Sequence, residues 1–281
     1  MRAAGGAQRA RGRALAVLLA TTLALLAGCH RLEVGPPVAG GERQALLDRF
    51  FRLAAPPAGC AALDADLTVS APSWFGRRIF SGYLQAQEPA FAKIVLLAPL
   101  GQPLALFATD GRTYQYVDTP RRRMWRGRMT DGGAAALYAL LTGRPVGCAG
   151  EPLLREVRRR GGPADSGYLI AYQCRPDGPR YEYWFDGRTA RVRRVRLLAN
   201  GAERPLFTVT YASYQQVEAA SGVSSCQVPA RLRLALQRGV VDITLDDPAS
   251  GQVSGPADFR IAVPAGYAVE EGPAQFLGAG G

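Results

Sequence analysis

The chain has 281 residues, enough for one large β domain or two small ones. Its 34 lysine and arginine residues outnumber its 23 acidic residues, and the resulting basic surface favours anionic lipid headgroups. Its single histidine, His30, leaves no base for a serine hydrolase and no histidine ligand for a metal in the body of the chain.

The first 28 residues have the pattern of a bacterial lipoprotein signal peptide. A basic segment precedes the uncharged apolar stretch 14–26, which is too short to span a bilayer as a helix. The stretch ends in Leu26-Ala27-Gly28-Cys29, which resembles the lipobox at which a cysteine receives a diacylglyceryl group and becomes the first mature residue. We predict a signal peptide over 1–28 and lipidation at Cys29; an ordinary signal peptide with a chance cysteine is the alternative.

The predicted leader directs the chain out of the cytoplasm, which excludes a nucleic-acid partner. In an oxidising compartment, the four cysteines that follow allow two disulfides in any of three pairings. They are Cys60, Cys148, Cys174 and Cys226. None of them forms a C-x-x-C pair, so we expect neither a metal site nor a cofactor.

One domain is predicted between two irregular segments. Residues 29–40 are rich in glycine and proline and are interpreted as a lipidated tether, and residues 267–281 as a flexible C-terminal tail. The domain occupies 41–266 and begins with an amphipathic helix over 42–54, in which apolar residues recur at helical spacing. Two prolines at 56–57 end this helix.

Beyond the helix, the apolar period changes to two residues, which predicts strands. Turn signals at Asp110-Gly111, Asp186-Gly187 and Asn200-Gly201 join several strands as hairpins, so an antiparallel meander is expected. Residues 131–160 interrupt the pattern with two helical segments, which we expect to pack on the sheet or cap it. The predicted strands are 63–70, 77–86, 91–98, 103–109, 113–118, 123–128, 167–174, 181–185, 190–198, 205–213, 230–237, 240–246 and 257–263.

Two neighbouring strands, 91–98 and 103–109, are apolar on both faces. One face is expected to line an apolar interior while the other meets the helices or a hydrophobic guest; burial of both faces in an ordinary sandwich is the alternative. The turn between them carries Leu100, although turns normally expose polar side chains. The tip therefore either tucks under a neighbouring element or meets an apolar surface such as a membrane.

Catalytic signatures are missing from the sequence. Neither a G-x-S-x-G nucleophile elbow nor a G-x-x-x-x-G-K-[ST] phosphate loop occurs. Asp64 and Asp66 share one face of a strand and could form a carboxylate pair, but alternating acids on a solvent face are the ordinary interpretation. We therefore predict that the protein is not an enzyme.

The segment 120–128 is strongly basic and contains a tryptophan. Its guanidinium groups could bind the phosphates of lipid or lipopolysaccharide, or they could lie solvated in a turn. The candidates for contacts with anionic headgroups are Arg121, Arg122, Arg123 and Arg126.

Several segments together resemble the LolA/LolB-like lipoprotein-carrier superfamily, and its LolB-like members in particular. The similarity is greatest in "AFAKIVLLAPLGQPLALFATDGRTYQYVD" and continues in "ALYALLTGRPVG" and "VPARLRLALQRGVVDITLDD". The resemblance implies a mainly β (α+β) fold, an incomplete antiparallel β-barrel of about eleven strands with a helical lid. Its apolar cavity would take the acyl chains of lipoproteins. Leu100 stands where LolB-like proteins carry an exposed leucine, which would make it a membrane-insertion tip.

The predicted cavity is lined by residues of the two apolar strands and of the first helical insert. Because alternate residues of a strand face opposite ways, about half of the strand residues can line it. The candidates are Leu96, Leu97, Leu104, Leu106 and Phe107 on the strands and Leu137, Tyr138 and Leu141 on the lid.

The resemblance implies a lipid-anchored, periplasm-facing acceptor that takes lipoproteins from a periplasmic LolA-like carrier and helps to insert them into the outer membrane. A carrier or sensor of other amphiphiles, such as lipid or lipopolysaccharide, and a structural envelope lipoprotein are the alternatives. His30 follows Cys29 in place of the aspartate that commonly retains lipoproteins in the inner membrane, which favours the outer membrane. We expect the protein to be a monomer.

Overall fold

The computed structural model describes residues 34–55, 60–73, 76–129, 132–160, 167–219, 222, 225–237 and 239–272. Within these ranges, two helices lie on one sheet of fifteen strands. The helices are α1 (Gly40–Arg52) and α2 (Gly133–Thr142). The strands are β1 (Val34–Pro37), β2 (Ala62–Ser73), β3 (Gly76–Gln87), β4 (Phe91–Leu97), β5 (Pro103–Asp110), β6 (Thr113–Asp118), β7 (Arg123–Arg128), β8 (Leu153–Arg160), β9 (Gly167–Gln173), β10 (Arg180–Asp186), β11 (Arg191–Leu198), β12 (Pro205–Glu218), β13 (Ser225–Leu236), β14 (Gly239–Ser250) and β15 (Ala268–Glu271).

The sheet is an antiparallel meander that does not close. Across it, β1 is followed by β8 to β14, then by β2 to β7, and finally by β15, which runs parallel to β7. The pairing of β14 with β2 joins the two halves, while β1 and β15 remain as separate edges. The predicted incomplete barrel with a helical lid is confirmed, with more strands than the eleven expected.

The turns alternate between two ends of the sheet. The end with the turns 98–102, 119–122, 174–179 and 199–204 is called the tip end. The end with the turns 88–90, 111–112 and 187–190 is called the base end. The described chain starts at the base end, because Val34 pairs with Arg160, the last residue of β8.

Both helices and the core lie on one face of the sheet, which we call the inner face. Phe50 of α1 is fully buried there, with its ring 5.3 Å from that of Tyr183 on β10. α2 connects two core clusters, since Ala139 belongs to the cluster under α1, whereas Tyr138 and Leu141 belong to a second cluster with residues of β2, β3, β4 and β14. The alternation of apolar residues in the strands thus produces one continuous apolar face.

The second helical segment predicted within 131–160 is wrong, because residues 153–160 form strand β8. Its apolar residues Leu154 and Val157 are three positions apart, as on a helix. In the strand, however, a β-bulge between Leu154 and Glu156 shifts the register, so Leu154 pairs with Tyr172 and Val157 pairs with Ile170. The bulge places two residues of helical spacing on the same face of a strand.

The strand predicted over 257–263 is also wrong. A 3₁₀ turn over Pro256–Phe259 buries Phe259 against Phe91, with the ring centroids 5.2 Å apart. The backbone of Ile261 then exchanges two hydrogen bonds with the side-chain amide of Gln115 instead of pairing with a strand. This segment crosses the outer face over β4 and β5, which explains why both faces of these strands are apolar.

Short strands occupy two segments that were predicted to be irregular. Residues 34–37 of the predicted tether form β1, and residues 268–271 of the predicted tail form β15. Each adds to an edge of the open sheet, where unpaired backbone groups accept a flanking segment. The signal peptide, Cys29, His30 and residues 273–281 lie outside the described residues.

The four described cysteines form two disulfides, in one of the three possible pairings. Cys60 is bonded to Cys226, and Cys148 is bonded to Cys174. The first joins the segment just before β2 to β13, and the second holds the connection between α2 and β8 against the end of β9. Of the helices in the described ranges, neither is long and apolar enough to cross a membrane.

The hairpin signal at Asp186-Gly187 corresponds to a charged turn between β10 and β11. Burial opposes ionisation of Asp186, but the guanidinium of Arg193 and the backbone N–H groups of Arg188 and Thr189 outweigh it and lower the pKa to about 2. The stabilisation is therefore present at neutral pH and is lost as the pH falls from about 4 to about 2.

We expect Asp186→Asn to lower the free energy of unfolding at pH 7 by about 1 kcal/mol, because the amide keeps the turn but loses the ion pair. Near pH 2 the difference from the parent should vanish. Urea unfolding at both pH values measures it. Asp177→Asn, at a turn residue whose side chain is 84% exposed, is the control and should change little; a loss at Asp186 that is independent of pH would contradict the ionic origin.

Candidate functional site

An apolar trough runs along the inner face between α2 and the tip end. Near the base end, this face is closed: Leu63, Ala86 and Ala92 are at most 4% exposed. Towards the tip end, the apolar side chains are only half-buried, although they pack against the same cluster. These residues define the trough: Phe80, Ile94, Leu96, Leu137, Val241 and Ile243.

Aromatic side chains extend the trough across β5, β6 and β7. Phe107 pairs with Ile94, Tyr116 pairs with Phe107, and Trp125 pairs with Tyr116, so the four lie in one row on the inner face. The rings of Tyr116 and Trp125 stack with their centroids 5.6 Å apart. Burial raises the pKa of Tyr116, and the nearby Asp118 raises it further. The row is therefore uncharged at neutral pH.

The strand residues predicted to line the cavity divide between the two faces. Leu96 and Phe107 lie on the inner face, whereas Leu97 and Leu106 lie on the outer face, because neighbouring residues of a strand alternate. We therefore correct the assignment of Leu97 and Leu106 to the cavity. Leu104 lies at a bulge, where the register of β4 with β5 shifts.

The lid residues have two different environments. Leu137 is half-buried and belongs to the trough. Tyr138 and Leu141, in contrast, are buried, with 5% and 8% of their surface exposed. Burial raises the pKa of the Tyr138 phenol, which lies 3.5 Å from the carbonyl oxygen of Ala61. Tyr138 and Leu141 thus hold α2 on the sheet, and Leu137 is the lid residue that a guest in the trough would contact.

Leu100 lies at the tip of the β4–β5 hairpin and is 85% exposed. The turn is closed by two backbone hydrogen bonds, from Gly101 N–H to the Ala98 carbonyl and from Ala98 N–H to the Gln102 carbonyl. The side chain is not covered by any described element, so Leu100 is not tucked under the described part of the fold. Leu236, at the tip end of β13, is 45% exposed. Apolar side chains therefore project from the tip end, near the open part of the trough.

The basic segment at the β6–β7 turn is largely ion-paired within the protein. Arg121 pairs with Asp118, and β15 brings Glu270 to Arg123 and Glu271 to Arg126. Arg122 is exposed, and its φ of 49° lies in the left-handed region. Such surface pairs are weak, and these arginines stay accessible to solvent, but their charge is partly compensated.

The paired aspartates of β2 lie on the outer face, in a shallow depression of about 240 Å³ that also includes Tyr83 and Asp247. Burial raises the pKa of Asp64, an effect that a hydrogen bond with Gln85 partly offsets. Within the described part of the chain, no group of three or more histidine, cysteine or acidic residues is arranged to hold a metal ion.

Comparison with known proteins gives a structural likeness only. No protein-family model and no curated protein matches this chain. A LolA superfamily protein from Nitrosomonas europaea superposes with a TM-score of 0.52 at 11% identity, over 78% of this chain and 97% of that one. The chain shares the fold of this protein. A DUF1329 family protein from Desulfovibrio piger also superposes on the chain, with a TM-score of 0.55 at 11% identity over 77% of this chain and 96% of that one.

Proposed function

We propose that this protein is a lipid-anchored acceptor that binds lipoprotein acyl chains in the trough and helps to insert lipoproteins into the outer membrane. The observation that carries the proposal is the half-open, uncharged trough, which ends beside a hairpin tip with a leucine that is 85% exposed. Soluble proteins seldom expose large apolar side chains at a projecting tip next to an apolar channel, because water disfavours both. The LolA-like fold supports the same class of ligand.

The proposed transfer needs no covalent step. Acyl chains would leave a periplasmic LolA-like carrier, enter the trough and then pass into the bilayer. Each buried methylene contributes about 0.8 kcal/mol, so small differences in apolar contact between carrier, trough and membrane set the direction. Leu100 would enter the bilayer surface and bring the open part of the trough to the lipid.

We propose that the anchor is a lipid on Cys29 and that the protein acts as a monomer facing the periplasm. A carrier or sensor of other amphiphiles would use the same trough. A purely structural lipoprotein is the less supported alternative, since a filled core would leave no half-buried row between Ile94 and Trp125.

Mass spectrometry of the purified protein tests the ligand class. Co-purified acyl species support an acyl-binding trough, and their absence from protein isolated without detergent would count against it. Depletion of the protein, with the distribution of lipoproteins between the two membranes as readout, separates the roles. If lipoproteins reach the outer membrane normally after depletion, the acceptor role is refuted, and a carrier of other amphiphiles remains as the alternative function.

We expect Cys29→Ser to abolish membrane anchoring by lipid, because serine cannot form the thioether to a diacylglyceryl group. The measurement is incorporation of radioactive fatty acid during growth, which should fall to background. The double variant Cys148→Ser/Cys174→Ser removes a disulfide but keeps Cys29, and it should retain full labelling. Equal labelling of parent and Cys29→Ser would refute the lipobox.

A further inference from the structure

Three arginines surround one tryptophan on the outer face near the base end. The guanidinium carbons of Arg160, Arg194 and Arg196 lie 5.7, 5.5 and 5.8 Å from the ring centroid of Trp184. The tryptophan is only 7% exposed beneath them. We call Arg160, Arg194 and Arg196 the arginine cluster. Cation–π contacts with the ring hold three like charges together.

The charge of this cluster is not balanced within the described chain. Arg196 pairs with Glu182 at 3.2 Å. Among the described side chains, no carboxylate lies within 4.0 Å of Arg160 or Arg194. Desolvation lowers the pKa of Arg194, and the positive charges of Arg160 and Arg196 lower it further. An external anion between these groups would relieve the repulsion.

The chain enters the described fold beside this cluster. Val34 is the residue paired with Arg160 across β1 and β8. Only five peptide units separate Val34 from Cys29, and they span at most about 18 Å when fully extended. A lipid on Cys29 would therefore keep the cluster within about two nanometres of the bilayer surface, where phosphate groups are concentrated.

We propose that the arginine cluster binds the phosphates of anionic lipid headgroups in the membrane that holds the anchor. The proposal rests on the lipid anchor of the proposed function. Guanidinium groups bind phosphate through paired hydrogen bonds, and two of the three have no carboxylate within 4.0 Å among the described side chains. The cluster lies near the opposite end of the strands from Leu100, so the protein has two separate membrane contacts. The anchor-side contact positions the domain, and the tip contact serves delivery.

Chemical footprinting of the full chain tests this contact directly. Purified protein is added to vesicles of phosphatidylcholine, with or without about 30% phosphatidylglycerol, and arginine modification by phenylglyoxal is mapped by mass spectrometry. Labelling of Arg160 and Arg194 should slow about fivefold on the anionic vesicles, the ratio expected for one arginine held at an anionic surface. High salt should restore the labelling. The exposed Arg175 and Arg204, in turns at the tip end, are internal controls whose rates should not change.

Substitutions separate charge from local structure. In Arg160→Gln/Arg194→Gln, the protection of Arg196 on anionic vesicles should disappear. In Arg160→Lys/Arg194→Lys it should persist in part, because the charge is retained while the paired hydrogen bonds of the guanidinium are lost. In the matched control Arg175→Gln/Arg204→Gln, at two exposed tip-end turns, it should be unchanged. Loss of protection in the lysine variant as well as the glutamine variant would show a structural effect and overturn the proposal.

The remaining outcomes distinguish this proposal from the proposed function. If the protein sediments with both kinds of vesicle but Arg160 and Arg194 label equally on both, the cluster proposal fails while the anchor stands, and an acidic protein surface becomes the alternative partner. If it sediments only with anionic vesicles and both arginines are protected, the cluster binds anionic headgroups, but the lipid anchor of the proposed function is refuted. If the protein sediments with neither kind of vesicle, the cluster proposal and the proposed lipid anchor both fail.

Discussion

Leu96→Glu is expected to weaken the binding of a long-chain fatty acid by at least about 100-fold. Leu96 is half-buried in the trough and packs against the core cluster behind it. A carboxylate there would face the acyl chain in an apolar site, which costs a few kcal/mol, and 1.4 kcal/mol corresponds to a factor of ten. Displacement of a fluorescent fatty acid from the purified protein measures the change, and co-purified acyl species should be lost in parallel.

The adjacent residue supplies a matched control. Leu97→Glu introduces the same charge one position later on the same strand, but its side chain lies on the outer face, opposite Ser81 of β3. It should change the fatty-acid affinity by less than about threefold, since it does not touch the trough. Equal losses in the two variants would indicate damage to β4 rather than to a binding site, and unchanged affinity in Leu96→Glu would refute the trough.

Local sequence signals predicted the regular parts of this fold. The apolar period of α1, the alternation in β2 and the aspartate-glycine turns act within a few residues, so each could be interpreted without tertiary information. The inner location of Leu96 and Phe107 also follows from alternation once one face is assigned to the core. The trough residues Val241 and Ile243 alternate in the same way on β14, but nothing local shows that β14 pairs with β2.

Features that depend on distant partners could not be predicted. The bulge in β8 imitates helical spacing, and only its pairing with β9 reveals a strand. The outer-face segment around Phe259 has strand-like composition, but its hydrogen bonds go to Gln115, far away in sequence. The arginine cluster combines Arg160 with Arg194 and Arg196 from two strands that are not neighbours in the sheet. Such sites follow from topology and register, which a single sequence does not specify.

Leu100→Glu is expected to reduce lipoprotein delivery to membranes at least tenfold while leaving the fold unchanged. The side chain is 85% exposed, so the substitution breaks no packing, and the melting temperature should stay within about 2 °C of the parent. Delivery should fall because leucine gains about 1.5–3 kcal/mol when it enters an apolar phase, whereas a carboxylate at the same depth is disfavoured. Transfer of a radiolabelled lipoprotein from a loaded carrier to vesicles measures delivery, and fatty-acid binding measures the trough separately.

Gln102→Glu tests whether charge alone explains the loss. It adds a negative charge to the same exposed turn, two residues from the tip, but removes no apolar side chain. We expect it to retain at least a third of the parent's delivery. If both variants deliver equally poorly, the turn repels the anionic membrane and Leu100 has no special role. If Leu100→Glu delivers as well as the parent, the leucine does not enter the bilayer. A selective loss at Leu100, with fatty-acid binding intact, is the result expected when an apolar tip carries the open trough to the lipid.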